Sequence, residues 1–302
     1  MHNINSTINF IFKKVRRNII KYLNFALYVK PEKNKKVVIP IIGGVGSINL
    51  HYQRDWMFFI LSRLTSVKSG TFLDIGANLG QTLIAFKDAN CNATYFGFEP
   101  NPLCVSYLSE LIKANNFIKC FVIPVGLSNT SQLAKLYYQD DIRSPAASIS
   151  EDIRSTTDTK SSIVATFKLD EVIKYLEIDD INIIKIDVEG LESAALEGMY
   201  ETIQKHRPFI ICEVLFRDSQ MDVLIKRNLD LKIFEILDSL KYKVFQIRKT
   251  LDLKSVQTLL YIERFEEMTW NLSNKDLCDY IFVPHEYNDI HLIQLLSSQV
   301  RG

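Results

Sequence analysis

The sequence predicts an α/β fold, a seven-stranded and mostly parallel sheet wound with helices on both faces. Three observations predict it. From Gly70 onward short apolar strands alternate with helical stretches, the order that a parallel sheet wrapped by helices leaves in a chain. The apolar strand 71–75 runs into Gly76-Ala77-Asn78-Leu79-Gly80, a glycine turn that opens a helix. A second strand, 94–98, ends in Glu99, and a carboxylate roughly 20 residues past a glycine turn accepts hydrogen bonds from ribose hydroxyls in dinucleotide-binding folds.

With 302 residues the chain accommodates one large domain and an appended segment. Its 47% hydrophobic and 24% charged content is ordinary for a globular protein and argues against extensive disorder. The net charge of +1 conceals an asymmetry: within residues 1–36, Lys13, Lys14, Arg16, Arg17, Lys21, Lys30, Lys33, Lys35 and Lys36 stand against the single acid Glu32. The five cysteines, Cys91, Cys104, Cys120, Cys212 and Cys278, form no C-x-x-C pair, so neither a metal site nor a disulfide framework is expected, and a reducing cytoplasm suits them. No run of about 18 apolar residues marks a spanning helix. The polar start, with Asn3, Asn5, Ser6 and Thr7, lacks the order of a secretory signal.

Residues 1–69 read as an N-terminal extension and residues 70–302 as the main domain. Over 8–29 the apolar positions Phe10, Ile11, Val15, Ile19, Leu23 and Leu27 recur at helical spacing with basic residues between them. Two uses suit such a helix: lying on an anionic membrane surface, with contact spread over residues 8–36, or capping its own domain with the lysines outward. The run 37–46 ends in Gly43-Gly44-Val45-Gly46. No Gly-Lys-Ser/Thr follows, so these glycines read as a tight turn between short strands rather than a phosphate loop. His51 and Tyr52 precede a helix over 55–64, and a lone histidine there reads as a surface or packing residue.

The main-domain strands are 71–75, 94–98, 119–123, 181–187, 209–214, 243–247 and 279–283. Each is a short, nearly continuous apolar run, which is how strands covered on both faces are written. Helices over 81–88, 102–115, 169–176, 191–205 and 233–240 connect them. The interval 127–167 breaks the alternation. Rich in Ser, Thr and Asp, it reads as an insertion near the active site, with a short strand over 133–138 and Ala146-Ala147-Ser148-Ile149-Ser150 folding back over the pocket.

The glycine turn points to the charge of its ligand. In the nicotinamide fingerprint G-x-G-x-x-G the middle glycine lets backbone approach a pyrophosphate, whereas Asn78 stands there in this chain and Asp74 precedes the turn. A carboxylate repels phosphate and attracts cations. S-adenosylmethionine, which carries an ammonium and a sulfonium, is the cofactor this arrangement favours. Gly76 and Gly80 are expected to keep β-carbons out of the ligand's path, beside the unpaired amides of a helix start.

A second chemical centre follows the strand 181–187. Lys185 and Asp187 alternate onto one face, Glu189 lies just beyond, and Glu213 ends the neighbouring strand close to Asp187. Ligands bind outside the carboxyl ends of such strands. Two nearby carboxylates raise one proton affinity and make a general base for a hydroxyl, and the alternative is a structural ion pair between Lys185 and Asp187 with Glu189 capping the following helix.

Together, Phe72-Leu73-Asp74-Ile75-Gly76-Ala77-Asn78-Leu79-Gly80, Gly97-Phe98-Glu99-Pro100, Lys185-Ile186-Asp187-Val188-Glu189-Gly190 and Cys212-Glu213-Val214 resemble, in order and spacing, the FkbM family of methyltransferases over about residues 70–215. The resemblance implies a class I, Rossmann-like fold, S-adenosylmethionine as cofactor, and methyl transfer to an oxygen of a sugar, glycan or other small molecule. Carried over residue by residue, it assigns Asp74, Gly76, Ala77, Asn78 and Gly80 to the methionine side of the cofactor and Glu99 to the ribose. It places Asn101 at the adenosine edge, Leu127 beside the adenine, and Asp187 between donor and acceptor. Asp187 is the first choice for general base or acceptor-orienting group, with Glu213 second and Lys185 and Glu189 setting the local charge. Two rivals share parts of the pattern: a nicotinamide-dependent oxidoreductase, and a catalytically silent protein that docks through its basic N-terminus. Nucleic acid is not an expected partner, because the chain is nearly neutral and has no Asn-Pro-Pro-Tyr or Asp-Pro-Pro-Tyr motif for a flipped base.

Overall fold

The computed structural model describes residues 23–33, 35–89, 92–138, 147–148, 160–216, 223–271, 273–274 and 276–297. The chain enters through an antiparallel ribbon of β1 (Asn24–Glu32) and β2 (Lys35–Ile42), followed by α1 (Trp56–Val67). The Asp55 side chain accepts the Met57 and Phe58 amides and so starts α1. This ribbon corrects the expected helix over 8–29: residues 1–22 lie outside the described residues, and residues 24–29 are strand. Phe25, Leu27 and Val29 pair across to Ile41, Ile39 and Val37, an alternation that also satisfies the three-to-four spacing read from the sequence.

The main sheet has eight strands. These are β3 (Thr71–Ile75), β4 (Tyr95–Phe98), β5 (Cys120–Ile123), β10 (Ile181–Ile186), β11 (Phe209–Glu213), β12 (Tyr242–Lys249), β13 (Val256–Ile262) and β14 (Asp279–Pro284). Their order is β13-β12-β14-β11-β10-β3-β4-β5, and β14 runs antiparallel between β11 and β12. The seven expected strands are present. The eighth, β13, closes the edge beside β12. Strand order reverses at β3, which pairs with β4 on one side and β10 on the other, so the crevice at their carboxyl ends is where such a sheet binds ligands.

Alternation divides the core in two. Phe72, Ile183 and Phe209 join a cluster with α1, α2 (Gln81–Asp88), α3 (Pro102–Ala114) and α8 (Asp289–Leu296), together with Val37, Ile39 and Ile41 of β2. Leu73, Ile184 and Ile210 face a second cluster with α5 (Glu192–Glu197), α6 (Tyr200–His206) and α7 (Val223–Ser239). The expected helix 191–205 is divided between α5 and α6. The break falls at Gly198, where a β-carbon would come within 2.0 Å of the Ser128 carbonyl oxygen, so only glycine fits there. The expected helix 169–176 reduces to α4 (Leu169–Val172) and a 3-10 turn, and α7 starts ten residues before the expected helix at 233.

The insertion builds its own sheet in the order β6-β9-β7-β8, from β6 (Gly126–Leu127), β7 (Gln132–Tyr138), β8 (Ala147–Ser148) and β9 (Lys160–Phe167). The expected strand over 133–138 is therefore present. Of the stretch expected to fold over the pocket, Ala147–Ser148 pairs with Tyr138 and Tyr137, while residues 146, 149 and 150 lie outside the described residues.

Candidate active site

Two hollows open at the carboxyl ends of the strands, and Asp187 lines both. The narrower lies over the crossover from β3, bounded by Ile75, Gly76, Asn78, Phe98, Glu99 and Pro100, with Leu127 and Leu136 from the insertion and Val188, Glu189 and Leu191 opposite. The wider, of about 440 Å³, is floored by Lys185, Asp187, Glu213 and Asp279 and walled by Asn49, His51 and Trp56 from the N-terminal segment and Leu253 and Lys254 from the β12–β13 turn. The backbone N–H of Trp56 donates to the Leu253 carbonyl at 2.9 Å, which ties the two walls together.

Glu99 is buried at the narrow hollow. Its two carboxylate oxygens each accept one backbone amide, from Asn78 and from Asn101, at 2.8 Å. Burial pushes its carboxyl up to about 7, against the downward pull of those amides. The turn that presents the Asn78 amide needs positive φ at Gly76, Asn78 and Gly80.

The structure revises several expected roles. Asp74 lines neither hollow. It shares a sheet face with Phe72 and is fully buried under the first cluster, where it accepts the Tyr95 hydroxyl at 2.7 Å and faces the Lys185 ammonium at 3.6 Å. The glycines answer to protein contacts. A β-carbon at Gly76 would lie 1.9 Å from the Asp187 carbonyl oxygen, and one at Gly80 would meet Leu108 and Leu111 of α3 at 2.8 Å. Gly76 does line the narrow hollow, but Gly80 does not. Ala77 is buried and its amide is used by the Phe98 carbonyl, while Asn101 caps α3 through its Oδ1, which accepts the Leu103 amide, and leaves its buried Nδ2 without a hydrogen-bond partner among the described residues. Glu189 belongs to the narrow hollow, and Glu192 rather than Glu189 holds the turn before α5 by accepting the Gly190 amide at 2.8 Å.

The second centre assembles as its strand alternation requires. Lys185 Nζ reaches Asp187 Oδ2 at 3.0 Å and the Gly76 carbonyl at 3.3 Å. Burial presses the lysine toward neutrality, but Asp187 and Asp74 more than offset it and the ammonium is held above its ordinary range. Glu213 is pushed up to about 8, first by burial and then by repulsion from Asp187 and Asp279, and it accepts a hydrogen bond from the Cys278 thiol at 3.3 Å. Asp279 stands opposite Glu213 across β11 and β14 and pairs with Lys249, whose ammonium also lies 4.4 Å from the Trp56 ring centre. Asp279, Lys249, Tyr95 and Trp56 escaped sequence reasoning. A signal did exist for Asp279, an acid at the start of a strand that must lie beside Glu213. Among the described residues no cluster of His, Cys, Asp or Glu has metal-holding geometry.

A switch-point crevice on a mostly parallel sheet, with the antiparallel strand β14 inserted between β11 and β12 two places in from the edge strand β13, is that of a class I methyltransferase fold. More narrowly, the FkbM methyltransferase domain model matches residues 74–244, and the chain belongs to that family. This membership does not favour the nicotinamide-dependent alternative. The hexuronic acid methyltransferase AglP of Haloferax volcanii is 30% identical over 144 residues, which are 47% of this chain and 54% of AglP, so the chain spans about half the length of that relative. Among solved structures, the methyltransferase FkbM from Methylobacillus flagellatus KT is 17% identical with a TM-score of 0.42, over 71% of this chain and 43% of that one. The S-adenosylhomocysteine-bound methyltransferase PaMTH1 from Podospora anserina is 12% identical with a TM-score of 0.38, over 76% of each.

Proposed function

We propose that this chain methylates a hydroxyl oxygen of a sugar or glycan with S-adenosylmethionine as donor. The observation that carries the reading is the position of Asp187 in the wall shared by the two hollows, so that one carboxylate borders both a donor and an acceptor. The residues present fit the donor. Glu99 is pre-oriented by two amides with lone pairs left for a ribose diol, Phe98, Leu127 and Leu136 offer apolar surface for a base, and Asp187 and Glu189 give the far end a negative character suited to a cation. Gly76 and Asn78 complete that wall. When bound, the donor supplies an electrophilic methyl group.

Asp187 orients the acceptor and takes the hydroxyl proton as the new O–CH₃ bond replaces the S–CH₃ bond. Glu213, which keeps its proton near neutral pH, donates to another acceptor oxygen. Water exclusion and alignment supply most of the rate, and the two hollows meeting at one residue are suited to that. The likeness to AglP supports a sugar acceptor, and a cleft of about 440 Å³ is of ligand size.

Calorimetry with S-adenosylmethionine, and transfer of labelled methyl to p-nitrophenyl β-glucuronide and p-nitrophenyl β-glucoside, test the reading. Glu99→Gln should weaken donor binding about tenfold. Asp187→Ala should lower transfer at least about 100-fold, well beyond its effect on donor binding. Failure of the intact protein to bind the donor would refute the proposal.

We also propose peripheral contact with an anionic membrane through residues 8–36. Phe25, Leu27 and Tyr28 of β1 are exposed, and Lys30 and Lys36 stand 5.7 and 4.9 Å from the Tyr28 ring. No helix among the described residues is long and apolar enough to cross a membrane. Flotation with phosphatidylserine vesicles should lose protein when residues 1–36 are removed, and equal recovery would refute the contact.

A further inference from the structure

Asp74 presents a problem that the binding of a donor does not solve. It opens the glycine-turn motif, yet its side chain is wholly buried, and one of its oxygens, Oδ1, has no hydrogen-bond partner. A buried carboxylate is expensive unless something charged answers it. The answer is Lys185. Asp74 and Lys185 are register partners on β3 and β10, with Nζ 3.6 Å from Oδ1. Tyr95, from β4, fixes the other oxygen at 2.7 Å. The same ammonium extends to Asp187 Oδ2 at 3.0 Å and to the Gly76 carbonyl at 3.3 Å. Four residues from three adjacent strands therefore form one line, Tyr95 to Asp74 to Lys185 to Asp187, that starts in the core and surfaces at the wall between the hollows.

We propose that Asp74 is a positioning residue that never touches the donor: locked by Tyr95, it holds Lys185, and Lys185 holds the Asp187 carboxylate where it faces both hollows. The line also fixes the charge of that wall. Asp74, Lys185 and Asp187 sum to one negative charge, which favours a sulfonium over the neutral thioether left after transfer. Without Asp74 the sum is zero, and without Lys185 it is two negative charges.

This inference rests on the donor reading above, and its test separates the two. Dissociation constants for S-adenosylmethionine and S-adenosylhomocysteine are measured by calorimetry on the intact protein, Asp74→Asn, Tyr95→Phe and Lys185→Met, with melting temperatures recorded alongside. Both ligands carry the same amino-acid ammonium and ribose and differ in the charge on sulfur. A direct contact from Asp74 to the ammonium would weaken both equally.

The positioning role predicts a change in their ratio: in Asp74→Asn the preference for the sulfonium falls about fivefold, and in Lys185→Met it rises by a similar factor, as expected for one charge acting over several ångströms in a partly wet cleft. Tyr95→Phe, which removes one hydroxyl, should lower the preference about twofold and covers the case in which a charge variant does not fold. Parallel loss of both ligands, or a constant ratio in every folded variant, overturns the proposal. If the unmodified protein binds neither ligand, the donor reading fails instead.

Discussion

Replacing Glu213 by glutamine should flatten the loss of stability that the protein suffers as pH rises. The carboxyl is pushed from its ordinary 4.5 to about 8, by burial first and by the neighbouring Asp187 and Asp279 carboxylates next. Each tenfold change in proton affinity is worth about 1.4 kcal/mol, so the full displacement corresponds to about 5 kcal/mol between the protonated and ionised forms. The cleft is open to water, which screens part of this, and about 2–3 kcal/mol is the working figure.

The sign follows from the direction of the displacement. A carboxyl that binds its proton more tightly when folded contributes stability that is complete below pH 4.5 and is lost as pH rises through about 8. Glu99 and Glu192, each pushed up to about 7 by burial, add losses of the same sign at slightly lower pH. Those losses are common to the variant and its parent, so the difference belongs to Glu213.

Melting temperatures taken by circular dichroism between pH 5 and pH 9 provide the assay. At about 2–4 °C per kcal/mol for chains of this order of size, the parent should lose at least about 5 °C more than Glu213→Gln over that interval. Equal slopes for the two proteins would show that Glu213 ionises without strain and would remove the argument that it holds a proton beside the acceptor at neutral pH.

Two further substitutions probe the frame around the site. Gly76→Ala would place a β-carbon 1.9 Å from the Asp187 carbonyl oxygen at a φ of +83, and it should cost about 4 kcal/mol or more and disturb the donor hollow, whereas a parental melting temperature would show that the strand ends have room to part. Asp88 is buried at the end of α2 and held by Arg54, Lys35 and Tyr52, whose hydrogen bonds, with the Lys35 charge, outweigh burial and keep its carboxyl below the usual range. Asp88→Asn should cost about 3–5 kcal/mol and expose the β1–β2 ribbon to limited proteolysis, and an unchanged trypsin pattern would contradict this.

The parts of the molecule that sequence disclosed are those where a local pattern has one meaning. The strand Thr71–Ile75 lies between Gly70 and Gly76 and the helix Gln81–Asp88 starts after Gly80, each glycine at positive φ, so these boundaries were legible. Lys185 and Asp187 could be paired in advance because residues two apart on a strand share a face. Residues 24–29 suit the end of a helix over 8–29 as well as a strand, because their apolar residues satisfy periods of two and of nearly four, and only the partner β2 decides between them.

The strand Val256–Ile262 mixes exposed and buried positions, as an edge strand does, and left too weak a trace. Asp74 was assigned to a ligand because its place in the motif says nothing about which cluster its face meets. The burial of Phe72, two residues earlier, was the available clue. The wider cleft was beyond reading for a different reason: its walls come from residues 48–57, 185–187 and 252–254, and no sequence pattern links stretches so far apart.

The hydrogen bond from Trp56 to Leu253 joins the beginning of the fold to its last quarter. During synthesis the crossover that would cradle the donor emerges early and can take shape while later segments are still in the ribosome. The vessel for the second reactant cannot, because one of its sides has yet to be made. The cleft walled by both stretches is therefore complete only once Leu253 has emerged.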